Sequence, residues 1–209
     1  MSTINIGVLV SGGGSNLQAM IDAIKKDELP ARISIVISNN KKAIALQRAL
    51  KHGITAICLE KKDFSSKVEF DMAIYNEMKN HHVDYIVLAG YLEILGEDFV
   101  TKYPNRIINI HPSLIPSFCG DRYYGHHVHK AVLDYGAKIT GATVHFVDKG
   151  TDTGPIIIQE CVKVMQDDDI HSLAARVLHV EHKILTQALK WLIAGKITVL
   201  GRKVMIKEI

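Results

Sequence analysis

The sequence predicts an α/β fold: a Rossmann-like, mostly parallel sheet flanked by helices, with a mixed C-terminal extension of the sheet. Three observations lead there. Short β-branched runs recur through the first half without alternating polar residues, the mark of strands covered on both faces. Between them lie stretches whose apolar residues fall at helical spacing. The first apolar run also opens directly into a glycine-rich turn followed by a helical stripe.

In chain order, Ile4 to Val10 reads as the first strand, Ser11-Gly12-Gly13-Gly14-Ser15-Asn16 as a turn, and Leu17, Met20, Ile21 and Ile24 as one helix face. Ile33 to Ile37 is a second strand, and Ser38-Asn39-Asn40 turns the chain into a helix from Ala43 to His52. Thr55 to Leu59 reads as a third strand; Val68, Met72, Ile74, Tyr75 and Met78 form a helical stripe that reaches Asn80. Tyr85 to Ala89 is a fourth strand, Glu97 to Lys102 a short helix and Ile107 to His111 a fifth strand. Beyond Tyr135 the pattern changes. Lys138 to Val147 and Ile156 to Val164 read as strands joined by the loop Asp148 to Pro155. Asp167-Asp168-Asp169 is a capping run for a long helix from Ile170 to Ala194, and Ile197 to Lys207 a hairpin turning at Gly201-Arg202.

The 209 residues suit one domain with a full core. Lys and Arg number 25 against 22 Asp and Glu, a formal net charge of +3, with 47% hydrophobic residues. That balance excludes a disordered scaffold and disfavours a nucleic-acid binder. Cys58, Cys119 and Cys161 are odd in number and form no CxxC pair, so neither a disulfide framework nor a thiolate zinc site is expected. The first charged side chain is Lys25 and no apolar run reaches the length of a membrane span. A cytoplasmic protein with no membrane partner is expected.

In the glycine turn, free N–H groups at a helix N-terminus attract phosphate, and glycine lets a ligand approach the main chain. The P-loop lysine is absent, Leu17 replaces the third glycine of a dinucleotide fingerprint, and no acid follows the second strand. A phosphomonoester is expected rather than NAD or ATP. A turn serving only tight strand-to-helix packing is the alternative.

In the fifth strand, residues two apart share a face, so Asn109 and His111 project together while Ile110 enters the core. Pro112 ends the strand at the edge where open α/β sheets keep their ligands. An imidazole beside a carboxamide suits a tetrahedral oxyanion and hence acyl transfer. The alternative is a buried pair satisfied by neighbouring backbone. There is no G-x-S-x-G elbow and no cysteine in a catalytic signature, which makes direct transfer between two bound substrates the simpler scheme. Asp152, in the loop after the sixth strand, is either a turn former or a carboxylate folded back to orient His111 and favour its charged form. His126, His127 and His129 with Cys119 match no metal-ligand spacing, so they are placed on a lid or on the following helix and no metal is expected.

These residues, with the blocks Gly7-Val8-Leu9-Val10-Ser11-Gly12, Ala89-Gly90-Tyr91, Asn109-Ile110-His111-Pro112-Ser113-Leu114, Asp152-Thr153-Gly154-Pro155 and Glu181-His182, resemble the glycinamide ribonucleotide formyltransferase family over essentially the whole chain. The resemblance implies transfer of a formyl group from 10-formyltetrahydrofolate to the amine of glycinamide ribonucleotide in purine synthesis. Direct attack through a tetrahedral intermediate, without a metal, is implied. Asn109, His111 and Asp152 become the catalytic set, Asn109 and His111 stabilising the oxyanion and Asp152 supporting the charged imidazole. Gly14, Ser15, Asn16, Arg106 and Glu181 become substrate-binding, and Lys67, Leu92, Glu93, Ile94, Leu95, Asp148 and Asp152 folate-binding. Residues 1–110 would form the phosphate-binding half and 111–209 the catalytic and folate-binding half of one domain, as a monomer or homodimer.

From the residues alone, Glu181 reads equally as an exposed helix charge, Arg106 as a surface residue, and Leu92, Ile94 and Leu95 as core. Lys67 and Glu93 stand where other members carry arginine, which turns a bidentate clamp at the first position into a point charge. Ser117 to His129, rich in Gly, Tyr and His, departs from the shorter Pro-Gly segment of several members. Two other functions use the same features: hydrolysis of 10-formyltetrahydrofolate with water as nucleophile, and noncatalytic binding of a phosphate ligand. Chain length is expected to favour the transferase over the hydrolases and over the transfer-RNA and nucleotide-sugar formyltransferases, which carry an extra domain.

Overall fold

The computed structural model describes residues 3–207. The chain divides into two compact units, one ending at Ile108 and one beginning at Asn109. The first holds β1 (Ile4–Val10), α1 (Ser15–Lys25), β2 (Ala31–Ser38), α2 (Ile44–Lys51), β3 (Ala56–Cys58), a single 3-10 turn (Lys61–Asp63), α3 (Lys67–Asn80), β4 (Tyr85–Leu88) and α4 (Glu97–Thr101). Its strands run in the order β3-β2-β1-β4, and β1 pairs in parallel with both β2 and β4, as β2 does with β3. β5 (Ile107–His111) follows β4 in the sheet and carries the chain across the boundary.

The continuous apolar runs have the reason expected of them. Val8, Leu9 and Val10 of β1, Ile35, Val36 and Ile37 of β2, and Ile86 and Val87 of β4 are all buried, so neither strand face is left to water. α3 lies so close to β1 that a Cβ on Gly7 would stand 2.3 Å from Met78 Sδ.

The second unit continues from β5 through α5 (His126–Tyr135), β6 (Ile139–Phe146), β7 (Ile156–Lys163), α6 (Ile170–Ile193), β8 (Ile197–Leu200) and β9 (Lys203–Ile206). The order is β5-β6-β7 with β6 and β7 antiparallel, and β8 and β9 form a separate hairpin. The mixed extension is therefore present. β7 alternates between covered and open positions, as an antiparallel strand with one wet face does. α6 buries Leu173, Val177, Ile184, Leu185, Ala188 and Leu189. Asp169 caps it in a reciprocal box with Ser172, while Asp168 accepts from Arg176 Nη1 at 2.8 Å, so the acidic run is spent on helix structure. Among the described residues no helix is long and apolar enough to cross a membrane.

Candidate active site

β5 ends at the candidate cluster. Ile110 is buried in the core while Asn109 and His111 share the opposite face, and His111 is only 4% exposed. The segment after it is tied to β6 and β7. Thr143 Oγ1 donates to the Ser113 carbonyl at 2.6 Å and accepts from Ile115 N–H at 3.2 Å. Gln159 Nε2 donates to the Ile115 carbonyl and to Thr143 Oγ1, both at 2.9 Å. Ser113 Oγ closes the turn on the Ser117 carbonyl at 2.6 Å, around a cis Ile115–Pro116 bond. Phe118, with φ of +51°, then turns its carbonyl to His111 Nε2 at 3.0 Å.

The loop between β6 and β7 folds back. Asp148 accepts from Gly150 N–H at 3.1 Å and Thr153 Oγ1 at 2.5 Å, and Gly154 lies so close to the Phe146 carbonyl that no Cβ fits there. This delivers Asp152, with φ of +56°, into the second unit's interior. Its Oδ2 stands 3.5 Å from His111 Nδ1 and accepts from Gly120 N–H at 2.9 Å. Its Oδ1 accepts from Asn109 Nδ2 at 3.3 Å and lies 3.6 Å from His145 Nε2. Asn109, His111 and Asp152 are thus brought together.

Burial pushes His111 below the ordinary imidazole range; the Asp152 charge and the Phe118 carbonyl pull the other way without restoring it. For Asp152 burial raises the pKa, but the His145 hydrogen bond, the His111 charge and Gly120 N–H outweigh it and hold the carboxyl below its usual range. The site is therefore a neutral imidazole against a persistent carboxylate. Burial also raises the Cys119 thiol, with Asp152 adding to it, which leaves no activated thiolate beside the site.

His145 belongs to this cluster and was not among the expected residues. Its Nδ1 faces the Phe146 carbonyl at 2.8 Å and its Nε2 faces Asn109 Nδ2 at 3.2 Å. A signal for it exists in the sequence: Thr143 and His145 are polar residues two apart in β6, hence on one face.

The remaining expectations lie where they can be described unit by unit. In the first unit, Gly14 is the N-cap of α1 with φ of +71°, pressed so hard on Ala45 that a Cβ would come within 2.6 Å. Ser15 and Asn16 open the helix behind it. Ser11 N–H donates to the Gly90 carbonyl at 3.0 Å and Ser11 Oγ accepts from Leu92 N–H at 2.9 Å, which brings the segment from Tyr91 to Leu95 beside the glycine turn. Leu92 and Ile94 are each 56% exposed and so are not core, whereas Leu95 is buried. Lys67 pairs with Asp71 at 2.5 Å and lines a cleft of about 240 Å³ with Gly96, Phe99 and Lys102; Glu93 pairs with Lys61 at 3.1 Å.

Arg106 requires a correction. Its carbonyl accepts from Ile86 N–H, and Ile86 pairs with Gly7, so Arg106 lies level with the early part of β1. The glycine turn leaves the other end of β1, roughly 16 Å along the strand at the usual rise per residue. Exposed at the amino end of β5, Arg106 is not brought to the turn. In the second unit, Glu181 is a buried carboxylate on the packed face of α6, and the exposed-charge alternative falls away. Asp148 is a loop-forming acceptor, as described. The His126 ring meets His171, the His127 ring meets Tyr124, and His129 is buried; among the described residues no three His, Cys, Asp or Glu side chains converge as metal ligands.

Comparison with known proteins follows the geometry. The formyl transferase family model matches residues 4–189. Trifunctional purine biosynthetic protein adenosine-3 of Drosophila melanogaster is 43% identical over 192 residues, which is 91% of this chain but only 14% of that relative's length. Phosphoribosylglycinamide formyltransferase of Escherichia coli is 39% identical over 194 residues, covering 93% of this chain and 89% of that protein. The crystal structure of glycinamide ribonucleotide transformylase 1 from Symbiobacterium toebii superposes with a TM-score of 0.94 at 38% identity, covering 99% and 95% of the two chains. With a family model across nearly all of its length and a near full-length relative of the same kind, this chain belongs to the formyl transferase family.

Proposed function

We propose that the protein transfers the formyl group of 10-formyltetrahydrofolate to the amine of glycinamide ribonucleotide, a step of purine synthesis in the cytoplasm. The observation that carries this reading is the buried cluster of Asn109, His111 and Asp152 at the end of β5, in a chain of this family. In the first unit, Gly14, Ser15 and Asn16 offer a helix N-terminus to the substrate phosphate. Leu92, Glu93, Ile94, Leu95 and Lys67 in the same unit contribute to folate binding, as do Asp148 and Asp152 in the second through their loop. Glu181 stays with the substrate-binding set, and Arg106 leaves it.

The step balances without a covalent enzyme intermediate. The substrate amine attacks the formyl carbon, a C–N bond forms, and the carbonyl oxygen becomes an oxyanion. His111 Nε2, 3.0 Å from the Phe118 carbonyl, is the ring nitrogen that donates to that oxygen. As the tetrahedral intermediate collapses, the bond to the folate nitrogen breaks and the proton lost by the amine is delivered to that nitrogen. His111 Nε2–H stays on the oxyanion and Nδ1 faces Asp152, so the proton passes from the amine to the folate nitrogen through solvent while the Asp152 charge orients the ring and supports its donation. Incubation with both substrates tests the reading: formylated ribonucleotide and tetrahydrofolate are expected in equal amounts. Formate released at the same rate with and without the amine substrate would assign hydrolysis instead.

A further inference from the structure

We infer that Gln159 is a positioning residue for the transfer: from β7 it clamps the turn after β5 that brings main-chain groups to His111 and Asp152. This inference rests on the proposed function. β7 is the last strand of the sheet, and Gln159 stands opposite Thr143 of β6 in the register, so the two side chains share a face. Gln159 Nε2 lies 2.9 Å from both Thr143 Oγ1 and the Ile115 carbonyl and so spends both of its N–H bonds on acceptors. Thr143 Oγ1 is used in full as well. It donates its hydrogen to the Ser113 carbonyl at 2.6 Å, and its two lone pairs take the N–H bonds of Ile115 and Gln159. Ile115, itself buried, therefore has both main-chain groups tied, the N–H to Thr143 and the carbonyl to Gln159.

What the clamp holds lies a few residues on. Ser113 Oγ closes the turn on the Ser117 carbonyl at 2.6 Å and Cys119 Sγ donates to the Pro116 carbonyl at 3.4 Å, which couples the next residues to the place of Ile115. That stretch sets the Phe118 carbonyl 3.0 Å from His111 Nε2 and lets Gly120 N–H donate to Asp152 Oδ2 at 2.9 Å. The same Asp152 oxygen stands 3.5 Å from His111 Nδ1. Ring and carboxylate are thus both located by one loop, and Gln159 fastens the base of that loop. The direction of the bonds fixes the chemistry needed at position 159. The Ile115 carbonyl only accepts, and the Thr143 hydroxyl, its hydrogen given to Ser113, accepts too, so the side chain must offer donors. Gln159 bonds to the turn and not to the cluster; it acts through the loop on His111 and Asp152.

Rates with both substrates on the full chain test this for wild type, Gln159→Met, Gln159→Glu, His111→Ala and the pair Gln159→Met with His111→Ala, while hydrogen exchange follows the Gly120 amide without substrates. Gln159→Met keeps the length and removes the donors; it is expected to lower kcat about tenfold with both KM values within about twofold of wild type. Gln159→Glu keeps the shape but sets acceptors against acceptors, and it is expected to lose at least as much. On the His111→Ala background, Gln159→Met is expected to change the single-turnover rate by less than about twofold, because the ring that the loop serves is gone. The Gly120 amide is expected to exchange at least about fivefold faster in Gln159→Met than in wild type. Gln159 is exposed on β7, so both variants are expected to fold and to melt close to wild type. Equal losses on both backgrounds would overturn the inference, as would a loss confined to KM or a Gln159→Glu protein as fast as wild type; the Glu variant decides the matter if the Met variant does not fold. A wild type that transfers no formyl group would defeat the functional reading itself. A transferring wild type whose Gly120 exchange is unchanged by Gln159→Met would defeat only the assignment of Gln159.

Discussion

His111 is offered oxygen on both sides of its ring, Asp152 at Nδ1 and the Phe118 carbonyl at Nε2. A neutral ring satisfies one of them and an imidazolium satisfies both, so the site is built to receive a proton that burial otherwise discourages. Asp152→Asn removes the charge that most favours protonation. The acid limb of the kcat/KM profile is then expected to move to lower pH, with kcat down about a hundredfold, as measured by steady-state rates from pH 5 to 8. A limb that stays in place would separate Asp152 from His111. His129 gives a second test. Burial, with His126 and His111 adding to it, pushes this ring down to about 4, and its Nδ1 has no hydrogen-bond partner among the described residues. Because the folded value lies below the unfolded one, the stability it confers is full above about pH 6.5 and is lost as pH falls toward 4, about 3 kcal/mol in all. Urea unfolding should show that loss in wild type and not in His129→Leu. Asn109 and His111 were legible from a two-residue period and a following proline. His145 was not singled out, because its partners come from β5 and from a loop far along the chain, and a lone histidine in an apolar strand does not name them.

At the scale of elements, the glycine turn is held from behind by α2. Ala45 N–H donates to the Gly12 carbonyl at 3.1 Å and Arg48 Nε to the Gly13 carbonyl at 2.8 Å, while Gly14 combines a left-handed φ with contact against Ala45. Gly14→Ala therefore meets both backbone strain and overpacking, and a loss of about 2–4 kcal/mol in chemical denaturation is expected. At the other end of the chain, Asp169→Ala removes the N-cap of α6 and is expected to cost about 1 kcal/mol by the same measurement. The regular elements were readable because their apolar spacing is set by the local geometry of strand and helix. α5 was harder to delimit. Its buried side includes His129 between Val128 and Val132, and the Gly, Tyr and His residues before it carry no apolar period from which a helix start could be read.

For the whole molecule, the sequence made the layered α/β class and the change of pattern after Tyr135 legible, whereas the structure divides earlier, after Ile108. What a linear reading lacked was which end of a strand a residue occupies relative to a distant turn. Arg106 shows this: next to β5 in sequence, it lies at that strand's amino end and away from the glycine turn at the carboxyl end of β1. The candidate catalytic cluster lies in the second unit, where four polar side chains from β5, β6 and a folded-back loop meet. The most direct measurement is the single-turnover rate of formyl transfer by His111→Ala with both substrates saturating, alongside its affinity for glycinamide ribonucleotide by calorimetry. The expected result is a rate at least about a hundredfold below wild type with affinity nearly unchanged. A rate within about twofold of wild type would show that the transfer does not pass through this cluster.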